Sequence, residues 1–451
     1  MYAGQRSSVN RARCRAPSPT LAFPGAYRLP ERRVSLGAIS CQSFWFALTG
    51  GMASTFCVLP WLHLATHPQG QVSLCCRVEY DKAAGIARNW VDGAPEDYLN
   101  LNTHSLSEIM NSRTHRDSRL QMLRGERPHA CNGCYRSEDL GIESKRQQEN
   151  AAFAALTEAA ARTRTDIDGS IAPNFEFIEL RLGNLCNVKC RTCNPSSSSK
   201  WTSDYKKLRS ELSFVRDQSH NGDFSWPESL KFWSDVERNS PHLKQIYING
   251  GEPTLIAAHW DFLETLCASG RARHIALLYN INMTHLPQKA FAIWRQFKKV
   301  HISASIDDVG ARNTYIRHPT EWEPVVEHLR RLKNSSVSVS ILQTVSAMNF
   351  YYLDELYAFA RAEGVVLSHN YVYDPKFMSV QALPQAVRLK RLIELKARLP
   401  DYLWHPLNAT FSHPDQPELW QQFKIYTQSL DRLRGESFVE TFPEFNAALN
   451  A

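Results

Sequence analysis

The chain has 451 residues, 43% of them hydrophobic and 22% charged, the composition of an ordinary globular protein and not of a disordered one. No apolar run reaches the roughly 18 residues that a membrane-spanning helix needs; the nearest, Phe44–Leu59, is interrupted by Thr, Gly and Ser. The net charge of +7 is local: residues 1–51 hold seven Arg and one acid, so the other 400 residues carry only +1, which sets nucleic acid aside as a partner.

In chain order, residues 1–51 form an Arg-rich, acid-poor leader. Its composition resembles an organellar transit peptide, and Met52 offers an alternative start directly before the first segment with recognisable design. Residues 1–51 are expected to lie outside the fold and to be disordered. Eleven cysteines follow a grouped pattern and no clean secretory signal accompanies them, so a reducing, cytoplasmic setting and metal binding are expected in place of disulfides. Cys14, Cys41 and Cys267 stand alone, and Cys267 reads as a small buried hydrophobe on a helix.

Residues 52–150 are rich in Cys, His and turn formers and read as a small separate domain. Residues 151–171 read as a connector that begins with a helix over Ala151–Arg162. From 172 to 375, strand-like segments (Phe175–Leu182, Gln245–Asn249, His274–Asn282, Lys299–Ile306, Val337–Val345 and Val366–Tyr373) alternate with amphipathic ones (Ala257–Ser269, Leu286–Lys298, Glu321–Lys333 and Tyr351–Glu363). Such alternation implies parallel pairing through right-handed crossovers, and six units predict an α/β fold, a partial (β/α)6 TIM-like barrel. Chemistry in such barrels sits on loops after the strand C-termini. The aromatic stretch Ser225–Trp233 reads as helix core. Residues 376–451 form a helical tail, with helices expected over Pro384–Leu399 and Pro417–Leu433.

The first barrel strand runs into Leu180-Arg-Leu-Gly-Asn-Leu-Cys186-Asn-Val-Lys-Cys190-Arg-Thr-Cys193, a C-x3-C-x2-C loop. Three thiolates can hold three irons of a 4Fe–4S cube and leave the fourth open to another ligand. A zinc site with a distant fourth ligand is the competing reading. The second strand ends in Ile246-Tyr-Ile-Asn249-Gly250-Gly251-Glu252-Pro253, where glycines would let the main chain approach a ligand.

This loop, placed after the first strand and followed one strand later by Gly-Gly-Glu-Pro, resembles the signature of the radical S-adenosylmethionine (SAM) superfamily. The resemblance implies that Cys186, Cys190 and Cys193 bind a 4Fe–4S cluster, and that Gly250, Gly251, Glu252 and Pro253 hold the amino group of SAM. Asn280 and Asn282, then Ser303, Ser305 and Asp307, end the third and fourth strands and resemble residues that contact the ribose and carboxylate; Arg317 could pair with a carboxylate. One departure is Thr192, where many members carry an aromatic residue, so the packing partner of the adenine is left open.

The N-terminal set Cys57, Cys75-Cys76 and Cys131-Asn-Gly-Cys134 resembles the auxiliary-cluster modules called SPASM and twitch, and could supply four thiolates to a second 4Fe–4S cluster. Cys57, Cys75, Cys131 and Cys134 are the ligands so implied, with Cys76 competing for the place of Cys75. Zinc is the alternative for this set too. In many relatives the module follows the barrel, whereas here it precedes it. The implied activity is reductive cleavage of SAM to a 5′-deoxyadenosyl radical that abstracts hydrogen from a peptide or small molecule. A flavodoxin or ferredoxin would serve as reductant. The alternative is an iron–sulfur or zinc protein without SAM chemistry, acting in electron transfer or assembly.

Overall fold

The computed structural model describes residues 55–78, 84–216, 222–411 and 414–450. The leader, Met52, Cys14 and Cys41 lie outside the described residues.

The strands are β1 (His63–Thr66), β2 (Val72–Ser73), β3 (Arg88–Val91), β4 (Ala94–Tyr98), β5 (Phe177–Leu182), β6 (Gln245–Gly250), β7 (Ala276–Ile281), β8 (Lys299–Ser305), β9 (Ser338–Val345) and β10 (Val366–Tyr371). One sheet runs in the order β10-β9-β8-β7-β6-β5-β1-β2, and β3 pairs with β4 separately. From β10 to β1 every pairing is parallel; β2 alone is antiparallel to its neighbour. The sheet therefore starts inside the region expected to be a separate domain. His63–Thr66 is buried along its whole length and pairs with Phe177–Glu179 of β5, so the histidine at its head is a core residue and not one on an exposed strand.

The two faces of the sheet differ in chemistry because side chains alternate along each strand. The row Leu180, Ile248, Tyr279 and Ile302 runs across four strands in register and is buried. It packs in one core with the helices Ala257–Ala268, Gln288–Trp294, Trp322–Lys333 and Leu353–Glu363. The opposite row, Glu179, Tyr247, Leu278, His301 and Ser338, is mostly polar, as are Arg181 and Asn249 further along. The helices thus line one face of a curved sheet and leave a polar interior on the other. Trp226, Phe232 and Trp233 are buried in the helix-side core, as their sequence context suggests.

The expected helix over Ala151–Arg162 is two helices, Lys145–Ala152 and Glu158–Thr163. Phe153 leaves helical geometry to bury its ring, stacked at 6.1 Å on Phe177, and Thr157 caps the second helix by accepting from the Ala160 N–H. The two buried side chains Phe153 and Leu156 join the core around Cys57. In the tail, Gln385–Lys396 and Pro417–Arg434 are helical, with Asp401–Phe411, Phe438–Thr441 and Pro443–Asn450 in addition.

His259 shows how the core handles a titratable group. Its Nδ1 donates to the Ile256 carbonyl at 2.7 Å, and its Nε2 accepts from the Tyr279 hydroxyl at 3.1 Å. Burial pushes its pKa down to about 3. A base with a depressed folded pKa takes up its proton on unfolding, so its contribution is intact above about pH 6.5 and declines as pH falls toward 3, by roughly 1.4 kcal/mol per pH unit. In urea denaturation of the iron-free chain, His259→Gln should flatten the pH dependence of stability by about that slope between pH 6 and 4. An unchanged slope would mean that the imidazole is already charged in the fold.

Candidate functional site

The three-cysteine loop leaves the C-terminal end of β5. Cys186 and Cys190 are buried and Cys193 half-buried, all packed around Val188. The loop has no regular structure, yet its backbone is pinned at several points. Lys189 N–H donates to His318 O at 2.6 Å and Arg191 N–H to Ile316 O at 2.7 Å. The Ser198 hydroxyl donates to Val188 O, and the Trp201 indole to Cys190 O at 2.9 Å. Arg191, fully buried, donates to Asp431 and Glu436 on the C-terminal tail at 2.6 and 2.5 Å and stacks 3.5 Å over the Tyr315 ring. Burial pushes the thiols up, Cys190 to about 11 and Cys193 to about 12, and each also feels another thiol of the loop.

The turn Gly250–Pro253 lies against this loop. A side chain on Gly250, whose φ is +140°, would come within 2.6 Å of the Leu182 nitrogen, and one on Gly251 would run into the Leu185 carbonyl. Close packing against the cysteine loop, and not ligand approach alone, thus requires both glycines. The Glu252 N–H donates to Leu185 O at 2.8 Å. The Glu252 carboxylate is buried and accepts from the N–H of Asn282 and from the N–H and hydroxyl of Thr254. Burial raises its pKa despite those bonds.

At the end of β7, the Asn282 amide bonds Asn187 at 2.8 Å and lies 3.9 Å from the Cys186 sulfur. The next residue, Met283, holds a φ of +66°, a costly geometry for a non-glycine residue, while bonds to Glu252, Asn187 and Thr284 hold Asn282. Asp307 follows β8 and is buried; its carboxylate accepts from Thr344 N–H at 2.7 Å and from Arg317 at 2.8 Å. Arg317 therefore has an internal carboxylate partner. Its Nε is buried with no hydrogen-bond partner, and the Cys190 and Cys186 thiols are near enough to favour its charge against the penalty of burial. A buried guanidinium with a spare donor beside three thiols suits an anionic occupant such as thiolate-bound iron–sulfur. Ser305 ends β8 on the polar face, half-buried.

Next to Cys193 opens a cavity of about 180 Å³ walled by Tyr205, Phe214, Phe377 and Tyr426, with Arg216 at its edge. Its aromatic rings contact one another, Phe214 to Phe377 at 5.3 Å and Phe377 to Tyr426 at 4.9 Å.

The N-terminal thiols gather about the start of the sheet. Cys57 and the half-buried Cys75 and Cys131 belong to one core cluster, and Cys134 sits on the helix Asn132–Asp139. Cys57 feels the charge of Cys134, and Cys75 that of Cys131 and Cys57. Burial pushes Cys57 up to about 12 and raises Cys75 and Cys131 too. Cys76 points elsewhere, toward Glu179 and Lys145. The two cysteines follow the end of β2, where Cys76 opens a turn, and Cys75 also feels the charge of Cys76. The helix Lys145–Ala152 clamps the Cys57 segment: Arg146 bonds Phe56 O and Glu138, and Asn150 bonds both Phe56 O and Val58 N–H. Arg146 and Asn150 escaped the sequence reading, although their spacing of four on a helix is the signal that could have found them. All cysteines among the described residues are free thiols. Among the same residues no three Cys, His, Asp or Glu form a group that would hold a single metal ion, so the thiols share neighbourhoods and do not close around one point.

Residues 57–135 match the family model of the SPASM domain, an iron–sulfur cluster-binding domain. No curated protein matches the chain. Among solved structures, anSMEcpe with bound AdoMet is similar at 19% identity and a TM-score of 0.36, over 49% of this chain and 59% of that one. Streptococcus suis SuiB bound to its precursor peptide SuiA is similar at 12% identity and a TM-score of 0.35, over 66% of this chain and 65% of that one. The chain thus spans about six-tenths of the length of anSMEcpe. No helix among the described residues is long and apolar enough to cross a membrane.

Gly251→Ala should force the turn away from the cysteine loop, at a cost of about 3 kcal/mol in overpacking. The urea midpoint should fall accordingly. A midpoint equal to that of the parent chain would show that the turn can yield without loss.

Proposed function

We propose that the chain is a radical SAM enzyme. In this reading Cys186, Cys190 and Cys193 hold a 4Fe–4S cluster with one open iron, and Cys57, Cys75, Cys131 and Cys134 hold a second, auxiliary cluster. The observation that carries it is convergence. The cysteine loop, the Gly250–Pro253 turn, Asn282 and Asp307 follow the C-terminal ends of four adjacent parallel strands; the turn bonds the loop and Asn282, Asn282 bonds the loop, and Asp307 pairs with Arg317, whose neighbours Ile316 and His318 bond the loop backbone. When bound, such a cluster delivers one electron to SAM, whose cleavage gives methionine and a 5′-deoxyadenosyl radical able to take hydrogen from an unreactive C–H bond.

The residues of this chain have distinct parts in that reading. Glu252 braces the turn by accepting from Asn282 and Thr254, which leaves the glycine main chain free to meet the amino group of SAM. Arg317 keeps positive charge beside the thiols and favours their ionised, metal-binding form. Ser305 and Asn282 would contact the ribose and carboxylate of SAM. Polar residues of the sheet interior, Glu179, Arg181, Tyr247 and Asn249, would receive a peptide or small-molecule substrate.

The second reading is an iron–sulfur or zinc protein without SAM chemistry. One observation favours it: packing against Leu182 and Leu185 alone accounts for both glycines.

The two readings part in one experiment. Protein reconstituted anaerobically with iron and sulfide, then given dithionite and SAM, should form 5′-deoxyadenosine, and the Cys186/Cys190/Cys193→Ala variant should form none. Protein with a full complement of about eight irons that leaves SAM intact would exclude the enzyme reading. Cys131→Ala with Cys134→Ala should lower the iron content to about four per chain and keep SAM binding.

A further inference from the structure

The proposed reaction consumes an electron, and the helix Thr202–Glu211 offers a route for one. This helix begins directly after the cysteine loop and presses its buried side, Asp204, Tyr205 and Leu208, inward. Trp201, just before it, is fully buried and donates its indole N–H to the carbonyl of Cys190 at 2.9 Å. Tyr205 shares a cavity wall with Cys193. The outer surface of the helix is therefore separated from the thiols by about one helix diameter, on the order of 10 Å, and a hydrogen-bonded side chain spans part of that gap.

The outer surface is strongly charged. Lys200, Lys206, Lys207, Arg209 and Arg216 are all exposed, against one exposed acid, Glu211. The other acid of this stretch, Asp204, is buried and neutralised by Lys189 at 2.7 Å and Arg434 at 3.0 Å. The concentration stands out because the chain beyond the leader carries a net charge of only +1. A cationic face on an otherwise neutral body steers an acidic partner to one place.

We infer that this face, Lys200 to Arg216, is the docking surface for a small acidic protein carrying a low-potential one-electron cofactor, which delivers its electron through the Trp201 side of the helix. The inference rests on the reading proposed above. It adds the partner's point of entry, which complementary charge and the short path to Cys190 select.

The test compares two reductants on reconstituted full-length protein. In Lys206→Glu/Lys207→Glu, formation of 5′-deoxyadenosine driven by reduced flavodoxin should fall about tenfold or more and lose most of its salt dependence. With dithionite, which needs no docking, the rate should equal that of the parent protein. A readout independent of turnover is carbodiimide cross-linking of flavodoxin, which should map to Lys206 or Lys207 by mass spectrometry and be suppressed by salt. Equal flavodoxin-driven rates in parent and variant, or cross-links confined to other lysines, would overturn the docking surface and leave the enzyme reading intact. A salt-sensitive shift with an oligonucleotide, without any effect of the variant on the flavodoxin-driven rate, would reassign the face to nucleic acid and overturn it as well. Absence of 5′-deoxyadenosine with dithionite in the parent protein removes the reaction itself, and the inference with it.

Discussion

The cysteine loop has no secondary structure of its own, and its shape depends on one buried charge, that of Arg191. The guanidinium is fully enclosed, bonds two carboxylates from the tail and covers the Tyr315 ring. Asp431 also accepts from the Tyr315 hydroxyl at 2.7 Å and from the Phe438 N–H at 2.8 Å, and Glu436 bonds His318 at 2.6 Å. Removing one partner from such a network leaves an uncompensated charge, typically a loss of about 3–5 kcal/mol. Replacing the whole set by apolar residues could be neutral, so its value is geometric. It fixes where the backbone of residues 189–191 runs, namely alongside residues 316–318. Arg317 lies in the middle of that segment and is thereby held against the thiols.

The same network joins the tail to the cysteine loop. Tail side chains such as Leu392, Leu407, Phe423 and Phe442 belong to the same core as the barrel strands and crossover helices, and the helix Pro417–Arg434 also brings Arg434 and Tyr426 to the outer side of the cysteine loop. Arg434 stacks 4.6 Å over Trp201 and bonds Asp204, so the tail also fixes the helix that follows the loop. A thiol set enclosed on one side by the Gly250 turn and on the other by the tail is shielded from water. In the proposed chemistry such shielding keeps solvent and oxygen from the reacting centre.

The sequence made the strands and crossover helices legible because their periodicity is local: each barrel strand lies within two residues of its expected ends, and Gly250 and Gly251 stand at the end of the second barrel strand, as the sequence implies. What was not legible depends on partners far away in the chain. Nothing in His63–Thr66 marks it as a sheet strand, since four residues show no alternation and the strand is buried throughout by its neighbours. The break after Ala152 is decided by the burial of Phe153 against Phe177, a contact across the fold that overrides the alanine-rich helix propensity. Arg191 looks like a surface residue in the motif, and only Asp431 and Glu436, some 240 residues on, make it a core one. The choice between Cys75 and Cys76 is open in the sequence because the two are adjacent, and their surroundings come from distant segments: Cys75 feels Cys76, Cys131 and Cys57, whereas Cys76 feels Glu179 and Lys145.

Strand β1 ties the two thiol sets into one geometry. Its register against β5 pairs His63 with Phe177, and β2 returns antiparallel beside it, so Cys75 lies near the level of the first residue of β5. The loop bearing Cys186 begins after the last residue of β5, Leu182. Five residues of strand rise separate those levels, on the order of 15–20 Å. The polar face between them carries Glu179 and Arg181 on β5 with Tyr247 and Asn249 on β6. Cys76 turns toward Glu179 from the auxiliary side, and Glu179 lies 3.8 Å from His63 with one oxygen lacking a hydrogen-bond partner. Under the proposed function, a substrate on this face would have the radical source at one end and the auxiliary thiols at the other. Because β1 pairs with β5, the segment after Cys57 and the strand that leads into the Cys186 loop belong to one hydrogen-bonded sheet.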